Sequence, residues 1–104
     1  MRCKLQILPA AWEDLKGLQD YYYWKFGKQS AENVIDNILN AMDSLTLFPE
    51  MGSELPDEEL NDLGFRMLVV EKQIIVYKMV SSSIFIYSVF DGRRDYPHLF
   101  KNKM

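Results

Sequence analysis

Residues 64–92 read "GFRMLVVEKQIIVYKMVSSSIFIYSVFDG", and the fold turns on this stretch. It has the β-branched and aromatic bias of strands. The breaks at Glu71-Lys72 and at Ser81-Ser82-Ser83 are short enough for hairpins. Three consecutive strands in an antiparallel meander are predicted. The two central runs are apolar on both faces, so helices should cover one side of the sheet and something else should touch the other.

Just before the strands, residues 50–64 hold Glu50, Glu54, Asp57, Glu58, Glu59 and Asp62 and no base. The chain has 12 Lys and Arg against 15 Asp and Glu, so these six acids leave 12 bases against 9 acids elsewhere. An acidic loop is thus tethered to a mildly basic remainder. It reads either as a solvated loop or as a surface matched to a basic partner.

Further upstream, residues 2–8 alternate Cys3, Leu5 and Ile7 against Arg2, Lys4 and Gln6, the period of a strand with one buried face. Pro9 closes it and suits the first turn of a helix. From Ala10 to Phe26 the period becomes helical, with Trp12, Leu15, Leu18, Tyr22 and Phe26 as the inward stripe, and Gly27 stands where helices commonly end. A second helix, capped by Ser30, turns Val34, Ile35, Ile38, Leu39, Met42 and Leu45 inward and ends by Pro49. The short "FGKQ" link makes the pair an antiparallel hairpin. The order is β-α-α-β-β-β, an α+β fold in one domain over residues 1–104, with the helical hairpin packed on a mainly antiparallel sheet.

Composition narrows the function. At 104 residues, with 48% hydrophobic and 26% charged positions, this is an ordinary globular composition. It has no long uncharged apolar run to span a membrane. The opening "MRCKLQILPAAWEDL" meets acids too soon for a secretory signal, and a lone Cys3 fits a reducing cytoplasm. One cysteine and one histidine cannot supply the ligands of a structural zinc site, so metal-independent chemistry, or none, is expected, without a cofactor.

Two clusters are left over. "YYYW", Tyr21 to Trp24, turns through about 300° of helix, so with Tyr22 inward, some of Tyr21, Tyr23 and Trp24 must be exposed. They are either tyrosines with wet hydroxyls or the anchors of a partner surface. The second cluster is basic. By alternation Arg66 shares a strand face with Leu68 and Val70, where a charge needs a reason. Arg93 and Arg94 follow the last strand, with Tyr96 and His98 beyond. If they converge with Arg66 at one end of the sheet, the group suits metal-free RNA cleavage. Guanidinium forks would hold and stabilise the phosphate, and His98 or Tyr96 would move protons. The plainer readings are a pairing of Arg66 with Asp95 or a loop carboxylate, and a solvated turn at Arg93-Arg94-Asp95.

The chain also carries L-x-x-F-P-x-x-G at Leu45–Gly52, G-[FY]-R at Gly64–Arg66 and G-R-R-D-Y at Gly92–Tyr96. In this order and spacing, over essentially the whole length, it resembles the RelE/ParE superfamily of toxins from type II toxin–antitoxin systems. The resemblance implies a cognate antitoxin that wraps the toxin, with Tyr21, Tyr23 and Trp24 among its contacts. It also implies one of two targets. RelE-like members cleave mRNA on the ribosome without a metal, and ParE-like members poison DNA gyrase without catalysis; the paired arginines and Tyr96 favour the nuclease here, with the gyrase inhibitor, or a degenerate toxin that only forms a complex, as the alternatives. In the nuclease branch Arg66 and Arg94 would hold the scissile phosphate, aided by Arg93, with Tyr96 and His98 as acid–base groups. The chain departs from RelE in having no lysines just before the Arg66 strand, where no basic residue lies between Glu50 and Gly64. Glu54, Asp57 or Glu59 would then serve as the base.

Overall fold

The computed structural model describes residues 2–103. Strand β1 (Lys4–Ile7) leads into helix α1 (Pro9–Phe26) and helix α2 (Lys28–Ser44), followed by a short helix α3 (Glu58–Asp62). Three strands then run in succession, β2 (Phe65–Val70), β3 (Gln73–Val80) and β4 (Ser83–Asp91), and helix α4 (Tyr96–Lys103) closes the fold. The sheet order is β1-β4-β3-β2. The expected meander is present, β2 antiparallel to β3 and β3 to β4, while β1 lies parallel to β4, so the sheet is mixed.

The two apolar faces of β3 and β4 are each covered. On one side α1 and α2 bring Leu15, Ile38 and Met42 against Ile75, Tyr77, Ile84 and Ile86. On the other, Leu55, Leu60 and Phe100 pack against Phe65, Ile74, Val76 and Phe90. Phe100 makes edge-to-face contacts with Phe65 at 4.9 Å and Tyr87 at 6.1 Å between ring centres, a favoured aromatic geometry. A register shift in the β3–β4 ladder pairs Val76 with Ser88 and Tyr77 with Ile86. Tyr87 is the extra residue of a bulge, which reverses the alternation of β4 beyond it.

Three expectations need correction, and one element is added. The α1 stripe is centred on Ala11, Leu15, Leu18 and Tyr22, while Trp12 and Phe26 are more than half exposed; the sequence pattern was right in period but turned toward the larger side chains. Ser30 does not cap α2, which begins at Lys28 directly after Gly27. Gly27 has φ 94° and joins the two helices alone, a conformation that favours glycine. The acidic segment is not simply a solvated loop. It folds α3, with the Asp57 side chain accepting from the Leu60 N–H at 3.0 Å as an N-cap, and it buries Leu55 and Leu60. The tail is helical, and its Phe100 is 2% exposed.

Candidate functional site

Arg66 pairs with Tyr77 across the β2–β3 ladder and shares the helical-hairpin face with Leu68 and Val70. Its guanidinium takes no carboxylate among the described residues, and its partners are backbone carbonyls. Nη2 donates to the Gly52 carbonyl at 2.7 Å and to the Glu50 carbonyl at 3.3 Å. The Tyr77 hydroxyl, on a side chain with no exposure, donates to the Pro49 carbonyl at 2.9 Å and accepts from the Gly52 N–H at 3.1 Å. Arginine and tyrosine together clasp the turn at 49–52. A Cβ on Gly52 would collide with the Met67 carbonyl oxygen and lie 2.6 Å from the Tyr77 hydroxyl, so the turn closes only on glycine. The F-P-x-x-G and G-[FY]-R motifs are thus two halves of one clasp. The turn presents Leu47, Phe48 and Met51 to solvent.

The arginines after β4 lie elsewhere. Asp91 pairs with Gln73, and Gln73 with Val70, four residues beyond Arg66, or about 13 Å along the strand. Arg93 and Arg94 therefore extend past the opposite end of the sheet from Arg66. Arg93 is held by Asp91, with Nε donating to Oδ1 at 3.1 Å and Nη2 to Oδ2 at 2.9 Å. These bonds, with the Arg93 N–H, push the Asp91 carboxyl down to about 2. Arg94 is exposed and makes no side-chain hydrogen bond or ion pair with the described residues.

Tyr96 and His98 lie in the first turn of α4. The Tyr96 hydroxyl contacts Met67 Sδ at 3.4 Å within the core layer on the face opposite Arg66, and His98 is exposed. Arg94, Tyr96 and His98 do meet Asp57, at a shallow cleft of about 540 Å³. Arg66 is not among them.

Two of the three proposed bases are engaged by a residue that the sequence reading did not single out. Lys101 on α4 reaches Asp57 at 2.8 Å and Glu59 at 3.1 Å. The Lys101 hydrogen bond, then the Leu60 N–H, holds the Asp57 carboxyl below its ordinary range. The two carboxylates raise the Lys101 ammonium in turn. A carboxylate with a lowered pKa is a poor general base near neutral pH. Glu54 is exposed. A tail lysine meeting acids some forty residues earlier leaves no local signal. Tyr77 was hidden for the same reason, since nothing near it in sequence distinguishes a clasping hydroxyl from a core aromatic.

Tyr21, Tyr23 and Trp24 are 45%, 60% and 84% exposed, and with Trp12 and Phe26 they make α1 strongly aromatic on its outer side. Among the described residues no group of three or more His, Cys, Asp or Glu is placed to hold a metal ion, and no helix is long and apolar enough to cross a membrane.

Comparison with known proteins agrees with this architecture. No curated protein matches the chain. Among solved structures, the chromosomal ParDE TA system from P. aeruginosa matches with a TM-score of 0.74 at 18% identity, covering 86% of this chain and 96% of that one; the likeness is one of fold. The family model of the ParE toxin of type II toxin–antitoxin systems, parDE, matches residues 5–96. Spanning both motifs of the clasp and the arginines after β4, that match places the chain in the ParE family of type II toxin–antitoxin toxins, within the RelE/ParE superfamily.

Proposed function

We propose that this toxin arrests growth by docking on a protein, as a ParE-like inhibitor of DNA gyrase without catalysis, and that a cognate antitoxin neutralises it in the cytoplasm. The carrying observation is the dispersal of the nuclease candidates. Arg66 is bound to the carbonyls of Glu50 and Gly52, on the face of the sheet opposite Tyr96 and at the end away from Arg94. A phosphate cannot reach both arginines at once, and the strongest term in metal-free phosphoryl chemistry is charge converging on one group. The exposed aromatics Tyr21, Tyr23 and Trp24 suit the antitoxin's seat, because desolvated tyrosine and tryptophan anchors dominate interfaces.

Purified protein added to DNA gyrase in a supercoiling assay tests this reading. Inhibition relieved by antitoxin supports it, and full supercoiling activity at a large molar excess of toxin defeats it. One observation favours the second reading, cleavage of mRNA on the ribosome. Arg94, Tyr96, His98 and Asp57 share a cleft, an arginine with candidate acid–base groups. Primer extension on an abundant mRNA after induction without antitoxin would show cuts within translated codons if that cleft is a nuclease, and intact message if it is not.

A further inference from the structure

A concavity of about 610 Å³ lies between α1 and the last residues of β4. Strand β1 ends opposite Ile86, so β4 continues to Asp91 with no strand on that side. Among the described residues the outward backbone at Val89 and Asp91 is only partly satisfied from within. Asp14 on α1 accepts from the Val89 N–H at 3.0 Å. By alternation the Val89 carbonyl and the Asp91 N–H point the same way, into the cleft. A short length of open strand edge is therefore held at the bottom of a groove, where an extended chain can hydrogen-bond to it.

The helical wall of this groove is notched. Gly17 lies in the interior of α1 and lines the cleft. Glycine is the least favourable residue in a helix interior apart from proline, yet a Cβ at Gly17 would meet nothing within 4 Å. No packing within the chain accounts for the missing side chain. A bare backbone beside an open strand edge leaves room for a polypeptide to enter.

The rim supplies charge. Arg93 is neutralised by Asp91, whereas Arg94, on the same rim, forms no side-chain hydrogen bond or close ion pair among the described residues and acts on Asp91 only as a weaker neighbouring charge. A guanidinium without an internal hydrogen-bond partner suits a carboxylate brought by a ligand. Tyr21 belongs both to this rim and to the aromatic outer side of α1, so a protein seated on those aromatics borders the groove.

We propose that the groove between α1 and the free edge of β4 receives an extended segment of the toxin's protein target, which passes the notch at Gly17 and places an acidic side chain on Arg94. This rests on the protein-docking function proposed above. It separates the two arginines that the sequence paired, Arg94 as the contact and Arg93 as part of the scaffold.

The test compares wild type, Gly17→Gln and Arg94→Glu by growth arrest on induction without antitoxin, inhibition of purified DNA gyrase, thermal melting and antitoxin binding. Gly17→Gln fills the notch and should leave the melting temperature unchanged or raised, so a loss of toxicity cannot be ascribed to misfolding. Both variants are expected to lose growth arrest and to need at least roughly tenfold more protein to inhibit gyrase, a weakening of about 1.4 kcal/mol, with antitoxin binding retained. Full toxicity in both variants overturns the groove. Loss of antitoxin affinity in Gly17→Gln also overturns it, because the segment would then be the antitoxin's. If wild type leaves gyrase untouched while both variants abolish growth arrest, the groove stands and the gyrase reading alone fails.

Discussion

Replacing Arg66 by methionine keeps the aliphatic stem and removes the guanidinium, which makes it the sharpest probe of the clasp. A hydrogen bond from a charged donor contributes roughly 1.5–3 kcal/mol, and the 2.7 Å bond to the Gly52 carbonyl is of that kind. The 3.3 Å bond to the Glu50 carbonyl is long and exposed and adds little. Against these gains, Arg66 Nε is buried without a partner, a cost that methionine would remove. The balance is a loss of about 1–2 kcal/mol, which for a domain of this size lowers the melting temperature by roughly 5–15 °C. Thermal and urea unfolding of both proteins would measure it, with the urea slope unchanged. The Tyr77 hydroxyl grips the same turn, so Arg66→Met combined with Tyr77→Phe should depart from additivity by about 0.5 kcal/mol or more. An unchanged midpoint would refute the clasp. Toxicity abolished at full stability would refute it differently, by returning Arg66 to a direct functional role.

Gly52→Ala should destabilise by about 1–3 kcal/mol or more, because the added methyl collides with backbone and with a buried tyrosine; urea midpoints would register it. Trp24→Ser, at a position 84% exposed, should change stability by less than about 0.5 kcal/mol while weakening antitoxin binding at least roughly tenfold in calorimetry. Phe100→Ala should cost about 3–5 kcal/mol and diminish the near-ultraviolet aromatic signal, since Phe100 closes the second core layer. Acid should loosen both the α3–α4 junction and the turn after β4. The Asp57 and Asp91 carboxyls are lowered in the folded state from 3.8, Asp91 to about 2, so their stabilisation is present above about pH 4 and is lost as the pH falls through the folded values. Lys101 is raised from 10.5, so its share persists at acid pH until its carboxylate partners are protonated, and declines on the basic side only as the pH rises through the raised value. Lys101→Met should therefore flatten the Asp57 part of the acid profile in urea midpoints measured from pH 5 to 2.

The local patterns were enough to write down the order of elements. Period two over Leu5 and Ile7, a helical period through Leu15 to Leu45, and β-rich runs parted by short polar breaks are backbone geometries expressed in neighbouring residues. The double-sided apolarity of β3 and β4 likewise signalled a second cover for the sheet, since an exposed face would read as alternating. The exposure of part of "YYYW" followed from the helical turn alone.

The contacts of Arg66, Asp57 and Glu59 depend on what the chain brings to them from far away. Arg66 read as a lone cation on an apolar strand, and its partners are carbonyls fourteen and sixteen residues earlier, which carry no side-chain signature. Asp57 and Glu59 read as free acids because Lys101 is remote in sequence. Arg66 and Arg94 seemed able to converge because the sequence does not state that β3 lies between β2 and β4, or that Arg66 begins its strand while Arg94 follows the end of one running the same way. Secondary structure depends on residues a few positions apart and is visible in the chain; a site is a meeting of distant residues, and strand order decided which ones meet.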